Sequence, residues 1–219
     1  MATLASFSFR KSAFFLTLFF GLTFSLSVVS ARPNTFLQDF KVTWSDFHVK
    51  QLDGGRAIQL VLDQNSGKLS GQPYTVQTNI FVHGKGDKEQ RINLWFDPSA
   101  DFHTFAILWN HRHILFYVDE IPIRVFKNNE ARGISFPESQ PMGVFSTLWE
   151  SDDCPIYAYY KDFDIDGCAV PGPEGANYHQ LNAEEARRYR WVRMNHMIYD
   201  YCTDKSRNPL IPPERADGI

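Results

Sequence analysis

Three aspartates, Asp162, Asp164 and Asp166, alternate in the string D-F-D-I-D. On an extended strand this spacing puts all three on one face, about 6.5–7 Å between neighbours. That superficially mimics the carboxylate pair that serves as acid, base or nucleophile at a glycosidic bond. The competing reading is a strand ending at a turn with its acids in water, and the short reach of aspartate favours it. His111 and His113 flank Arg112 and could suggest a metal site; with no third ligand nearby, an exposed hairpin is the better reading. The chain has three cysteines, Cys154, Cys168 and Cys202. An odd count in a secreted protein leaves at least one thiol without an internal partner, and with no Cys-x-x-Cys a zinc ribbon or a thioredoxin-like site is not expected. Arg187, Arg188, Arg190 and Arg193 would suit a phosphate or an acidic polysaccharide; a solvated helix face balanced by acidic neighbours is the plainer account.

These residues sit in a chain of 219 with a formal net charge of −3, which gives no reason to expect nucleic acid as a partner. Arg10 and Lys11, the apolar run from Ala13 to Val29 and the small residues Val29-Ser30-Ala31 read as a secretory signal peptide over 1–31. The apolar run approaches the length of a membrane span, so a retained anchor is the alternative. Residues 32–219 are enough for one domain with a real core. No cofactor is expected, no membrane association after cleavage, and no N-glycosylation, since Asn-x-Ser/Thr is absent.

The elements that must position any site are short strands. Ala57–Leu62 reads as an apolar strand introduced by the turn Asp53-Gly54-Gly55. Tyr74–Val82 alternates and breaks at the polar loop His83–Asp87, and Arg91–Phe96 follows, stopped by Asp97-Pro98. Phe102–Trp109 is apolar on both faces, as in a strand buried within a layered fold. Ile114–Val118 and Ile121–Phe126 form a hairpin around Asp119-Glu120. Met142–Trp149 and Ile156–Ile165 are predicted as two further strands. Turn signals about every ten residues argue for an all-β antiparallel sandwich or jelly roll. After Pro171-Gly172-Pro173 comes one helix, N-capped by Asn182 with Glu185 completing a capping box and Leu181 and Ala186 placed as a hydrophobic staple.

Long strings then resemble one family. They include V-T-W-S-D (Val42 to Asp46), Q-L-D-G-G-R-A-I-Q-L-V-L-D-Q-N-S-G (Gln51 to Gly67) and G-Q-P-Y-T-V-Q-T-N-I-F-V-H-G-K-G-D-K-E-Q (Gly71 to Gln90). W-F-D-P (Trp95 to Pro98), F-H-T-F-A-I-L-W-N (Phe102 to Asn110), F-Y-V-D-E-I-P-I-R (Phe116 to Arg124) and Q-P-M-G-V-F-S-T-L-W-E (Gln140 to Glu150) continue the pattern, as does the stretch from Glu185 to Asp204. All resemble xyloglucan endotransglucosylase/hydrolases of glycoside hydrolase family 16. The resemblance implies an all-β, concanavalin-like jelly roll over 32–170, here incomplete, and the family's C-terminal extension over 171–219. It implies a monomer secreted to the plant cell wall or apoplast, with xyloglucan polysaccharide and oligosaccharide as partners. It also implies a retaining cleavage and religation of the β-1,4-glucan backbone by two carboxylates.

The residues for that chemistry are missing. The family carries its carboxylates on one strand with an H-D-E-I-D-F-E-F-like motif, whereas here Asn65 to Asn79 passes from one strand to a later one through an unmatched join at Lys68-Leu69. Further gaps follow Cys154 and Pro173. No catalytic residue is therefore assigned, and Asp162, Asp164 and Asp166 fall outside the family's catalytic position. By residue-wise match, Gln77, Thr78 and Asn79 would hydrogen-bond glucan hydroxyls from the concave sheet. Asp87, Lys88 and Glu89 would do so from the adjoining loop, and Asp153 and Arg207 from further along; without the match, all are polar residues of a strand and a loop. Trp109 is expected in the core, while Trp149 is open between core and sugar stacking. The resemblance also implies that Cys168 and Cys202 have each lost a disulfide partner, with a new Cys168–Cys202 bridge as the alternative. The expected protein is an inactive family member, with a non-catalytic xyloglucan-binding wall protein or a defective splice or gene-model product as the alternatives.

Overall fold

The computed structural model describes residues 2–7, 35–38, 41–42, 49–62, 73–138, 141–146, 156–168 and 180–207. Within them lie eleven strands: β1 (Ala2–Phe7), β2 (Val49–Leu52), β3 (Ala57–Leu62), β4 (Thr75–Thr78), β5 (Gln90–Asn93), β6 (Phe105–Trp109), β7 (His113–Val118), β8 (Ile121–Lys127), β9 (Ile156–Lys161), β10 (Phe163–Cys168) and β11 (Met197–Asp200). One α-helix, α1 (Ala183–Asn195), precedes β11. The strands form three antiparallel sheets, ordered β10-β1-β6-β7-β8, β11-β5-β4 and β2-β3-β9. This is the all-β class that the turn spacing predicts.

The hairpin β7–β8 turns at Asp119 and Glu120, whose φ values of 47° and 65° give the primed turn that matches strand twist. Its register slips between Phe116 and Tyr117, and the bulge accommodates Pro122, which lacks a ladder donor. Two buried clusters lie against this hairpin. Ile80, Val82, Ile114, Phe126 and Phe136 form one, with Trp109 packed on it as expected. Ile92, Leu94, Val118, Ile123 and Val192 form the other, so strand β5, the hairpin and α1 share a core. The helix begins with the predicted capping box: Asn182 accepts from the amides of Glu184 and Glu185, and Glu185 accepts from the amide of Asn182.

Two expectations are corrected. Met142–Ser146 lies in no strand; its apolar pattern suits a strand, yet no ladder forms and Phe145 is 77% exposed. The predicted strand Ile156–Ile165 is two strands in two sheets, and the chain crosses between them at Asp162, φ 53°. The three aspartates therefore do not share one strand face, because only Asp164 and Asp166 belong to β10. Ala2–Phe7, within the segment read as a leader, is paired on both sides within the five-stranded sheet. The joins at Lys68-Leu69 and Pro171-Gly172-Pro173, together with Trp149 and Cys154, lie outside the described residues.

Candidate functional site

The candidate surface begins on β4, where burial alternates as the pleat requires. Val76, Thr78, Ile80 and Val82 turn inward, while Thr75, Gln77 and Phe81 face water and Asn79 is half-buried. Beyond Val82 the chain reverses tightly: Val82 and Lys85 exchange both backbone hydrogen bonds, at 2.9 and 3.0 Å, across His83 and Gly84. The returning strand brings Gly86 beneath Phe81. A Cβ added at Gly86 would lie 2.7 Å from the Phe81 ring and 3.0 Å from Asn79 Nδ2, so the close approach requires glycine. Asp87 follows with φ 56°, exposed beside the half-buried Lys88.

Asn79 fixes this return. Its Oδ1 accepts from the amides of Ile80 at 2.8 Å and Lys88 at 3.1 Å, and its amide nitrogen lies close to Gly86. Lys88 Nζ donates to the carbonyl of Gly86. Gln77, Asn79, Phe81, Asp87 and Lys88 thus form one polar surface with an aromatic ring in it.

Thr78 and Glu89 are placed differently. Thr78 is buried and its Oγ1 accepts from Arg124 Nη1 at 2.9 Å; it supports the surface from below rather than reaching it. Glu89 is also buried, hydrogen-bonded by Arg91 Nε and 3.9 Å from Arg207 Nη1. Arg207 is half-exposed, so it and not Glu89 meets water. Asp153 lies outside the described residues.

Arg124, which the sequence reading did not single out, organises the underside. It is 1% exposed and donates to the carbonyl of Thr78 at 3.0 Å and to that of Lys88 at 2.5 Å, with its guanidinium over the rings of Phe116 and Phe126. One planar cation therefore holds both arms of the loop. An arginine in the apolar string I-P-I-R-V-F was the available signal. Phe81 was missed because an exposed ring and a core ring look alike in sequence.

The C-terminal segment closes one side. Arg91 lies over the Tyr199 ring, and Tyr199 donates its hydroxyl to Asp204 at 2.9 Å. Hydrogen bonds from Ser206 and then Tyr199 lower the Asp204 pKa to about 2, the opposite of what a general acid needs. A shallow hollow of about 400 Å³ here is lined by Arg193, Met197, Ile198, Tyr199, Asp200, Thr203 and Asp204. Three of the four helix arginines are balanced by acids: Arg187 and Arg188 pair with Glu184, and Arg193 with Asp200, while Arg190 is exposed.

Among the described residues neither a histidine metal site nor a Cys168–Cys202 bridge is assembled. His113 is buried against Asn110, whereas His111 pairs with Glu138 at 3.2 Å, so the hairpin is exposed only in part and its two imidazoles have separate partners. Cys202 is a buried thiol, so the Cys168–Cys202 bridge is not formed. Burial pushes its pKa up to about 12.

Comparison with known proteins agrees with this architecture. The model for glycosyl hydrolases family 16 matches residues 66–161, and that for the xyloglucan endo-transglycosylase (XET) C-terminus matches 171–214. "Probable xyloglucan endotransglucosylase/hydrolase protein 6" of Arabidopsis thaliana is 50% identical over 275 residues, covering 91% of this chain and 94% of that protein. Protein 7 of the same series and plant is 51% identical over 267 residues, with 87% and 91% covered. "Xyloglucan endotransglucosylase protein 1" of Diospyros kaki is 36% identical over 264 residues, with 89% and 92% covered. The sheets are thus those of a family 16 jelly roll, and the chain belongs to the xyloglucan endotransglucosylase/hydrolase family.

Proposed function

We propose that this chain is a plant cell-wall member of its family that engages xyloglucan without cleaving or religating it. One observation carries the reading: none of the eleven described strands contains a glutamate. A retaining glycosidase holds two carboxyl groups about 5–5.5 Å apart across the sugar. The strand that carries a pair, β10, offers Asp164 and Asp166, about 6.5–7 Å apart along the pleat. The alignment to the first Arabidopsis relative supports the same reading, since its 275 positions exceed the 219 residues of this chain by 56. At least that many positions of the comparison have no counterpart here.

What the chain retains is a surface suited to a neutral polysaccharide. Gln77, Asn79, Asp87, Lys88 and Arg207 offer donors and acceptors for hydroxyls, and Phe81 offers an apolar face for a pyranose ring. We place secretion to the wall within the same proposal.

The test is incubation of the purified chain with xyloglucan and a labelled xyloglucan oligosaccharide, alongside electrophoresis through a xyloglucan-containing gel. The expected outcome is retardation in the gel with no label transferred and no fall in viscosity. Transfer or hydrolysis abolished by Asp164→Asn would overturn the loss of chemistry. Migration unchanged by xyloglucan would overturn the binding.

A further inference from the structure

One arginine of α1 is left over once the ion pairs are assigned. Arg187 and Arg188 share Glu184, and Arg193 meets Asp200. Arg190 is exposed and has no acid partner among the described residues. On a helix, positions i, i+3, i+4 and i+7 share one face, so Arg187, Arg190, Trp191 and Met194 form a single stripe. All four are exposed, on the side of the helix away from the buried Tyr189 and Val192. The stripe therefore sets an uncommitted guanidinium beside a tryptophan that is 40% exposed.

The tryptophan is firmly held. Its ring centroid lies 5.3 Å from that of Trp95 at 69° and 4.5 Å from that of His196 at 58°, and Trp95 and His196 stand 5.5 Å apart. Three rings thus brace one another from the end of β5 and the end of α1, and Trp95 is itself packed on the cluster around Ile92 and Val192. Asn195 Nδ2 donates to the Trp191 carbonyl at 2.8 Å, closing the turn that carries the ring. A side chain held in this way gives up little conformational freedom on binding. Its open surface suits the apolar face of a pyranose, and the neighbouring guanidinium suits a carboxylate, which it takes by two parallel hydrogen bonds. The charge is complementary as well: α1 has four arginines against two glutamates in a chain of net charge −3.

We infer that the stripe from Arg187 to Met194 is a second glycan-binding surface, and that its ligand is an acidic polysaccharide whose uronate carboxylate pairs with Arg190 while a sugar ring stacks on Trp191. An anionic membrane would use the same charge, but an interfacial helix buries a whole apolar face, and this stripe offers only Trp191 and Met194. The inference goes beyond the proposed function and does not rest on it, since the surface proposed for xyloglucan lies on β4, its following loop and the C-terminal segment.

Electrophoresis of the purified chain through gels containing polygalacturonate, its fully methyl-esterified form or xyloglucan tests it. Polygalacturonate should retard the chain at low salt but not at about 1 M, where the Debye length is about 3 Å. The ester, which keeps the pyranose and lacks the charge, should not retard it. Arg190→Ala should weaken the interaction about 10-fold, and Arg190→Lys less, since lysine keeps the charge without the fork. Trp191→Leu, which keeps an apolar contact with Trp95, should weaken it about 5-fold. Arg190 lies outside the core, so its two variants decide the question even if Trp191→Leu unfolds. Retardation by xyloglucan should be the same in Arg190→Ala as in the parent chain, which separates this surface from the one on β4. Equal retardation by the ester, binding unchanged in Arg190→Ala, or displacement of polygalacturonate by xyloglucan oligosaccharide would overturn the inference. So would binding to phosphatidylserine vesicles with none to polygalacturonate.

Discussion

In the sheet of β11, β5 and β4 side chains reinforce the backbone ladders. Arg124 reaches from β8 to the carbonyls of Thr78 and Lys88, Val192 of α1 meets Ile92 of β5 in one buried cluster, and Gln90 donates to Asp200 across β5 and β11. β10, β1 and β6 are joined by continuous antiparallel backbone ladders. The first arrangement is specified by residue identity and tolerates few substitutions. A backbone ladder specifies an extended shape and a register, which many apolar segments can adopt. A joint that depends on particular side chains is therefore the one that single substitutions can test.

The largest expected effect comes from Arg124→Ala. It leaves two carbonyls and the Thr78 hydroxyl without the donor and opens a cavity, at a cost of about 4 kcal/mol, read as a lower urea midpoint. Exchange should accelerate in β4 and the 83–89 loop but not in β1. If β1 loosens equally, the two regions form one cooperative unit and the contrast fails. Gly86→Ala sharpens the contrast locally: its methyl must displace the Phe81 ring, costing about 1–2 kcal/mol, and retardation by xyloglucan should fall several-fold. Asn182→Ala removes the acceptor for two helix amides, costs about 1 kcal/mol, and should be seen first as faster exchange at the start of α1.

A pH series gives the smallest effect. Burial, aided by Asp200, raises the Cys202 pKa from 9.0 to about 12, so between those values the unfolded chain binds fewer protons than the folded one. Stability contributed by Cys202 is thus whole below pH 9 and declines as pH rises toward 12. Cys202→Ala should flatten that decline. In the folded chain the thiol should resist alkylation at pH 8, and react on unfolding in urea.

The parts legible in the sequence were those governed by short-range rules. The Asp119-Glu120 hairpin and the Asn182–Glu185 capping box each depend on a few adjacent residues, and the structure contains both. The fold class followed from turn spacing. What could not be read depends on distant partners or on the sign of a dihedral. Ile156–Ile165 keeps a strand pattern straight through Asp162, whose left-handed φ sends the chain into another sheet. Met142–Ser146 has strand composition without a neighbour to pair with. On β4, the alternation Gln77-Thr78-Asn79 implies opposite faces, but that Thr78 is the inward one emerged only with Arg124 in place. β1 was hidden because an apolar segment beside Arg10 and Lys11 satisfies a transport signal and a strand equally well.

The turn at Asp119 and Glu120 holds two side-chain-bearing residues in the left-handed region, where glycine or asparagine is usual. Asp119 makes use of its position: its carboxylate accepts from the Thr104 amide at 2.9 Å and sits 2.6 Å from His103 Nδ1, fastening the approach to β6 onto the β7–β8 tip. No hydrogen bond is described for the Glu120 side chain. Glu120→Gly should therefore raise the melting temperature, by relief of about 1 kcal/mol of steric conflict, whereas Asp119→Gly should lower it by unfastening two loops. The hairpin tip is a buckle with one working tooth and one ornamental one, and engineering for robustness can begin there without touching the surface proposed for xyloglucan.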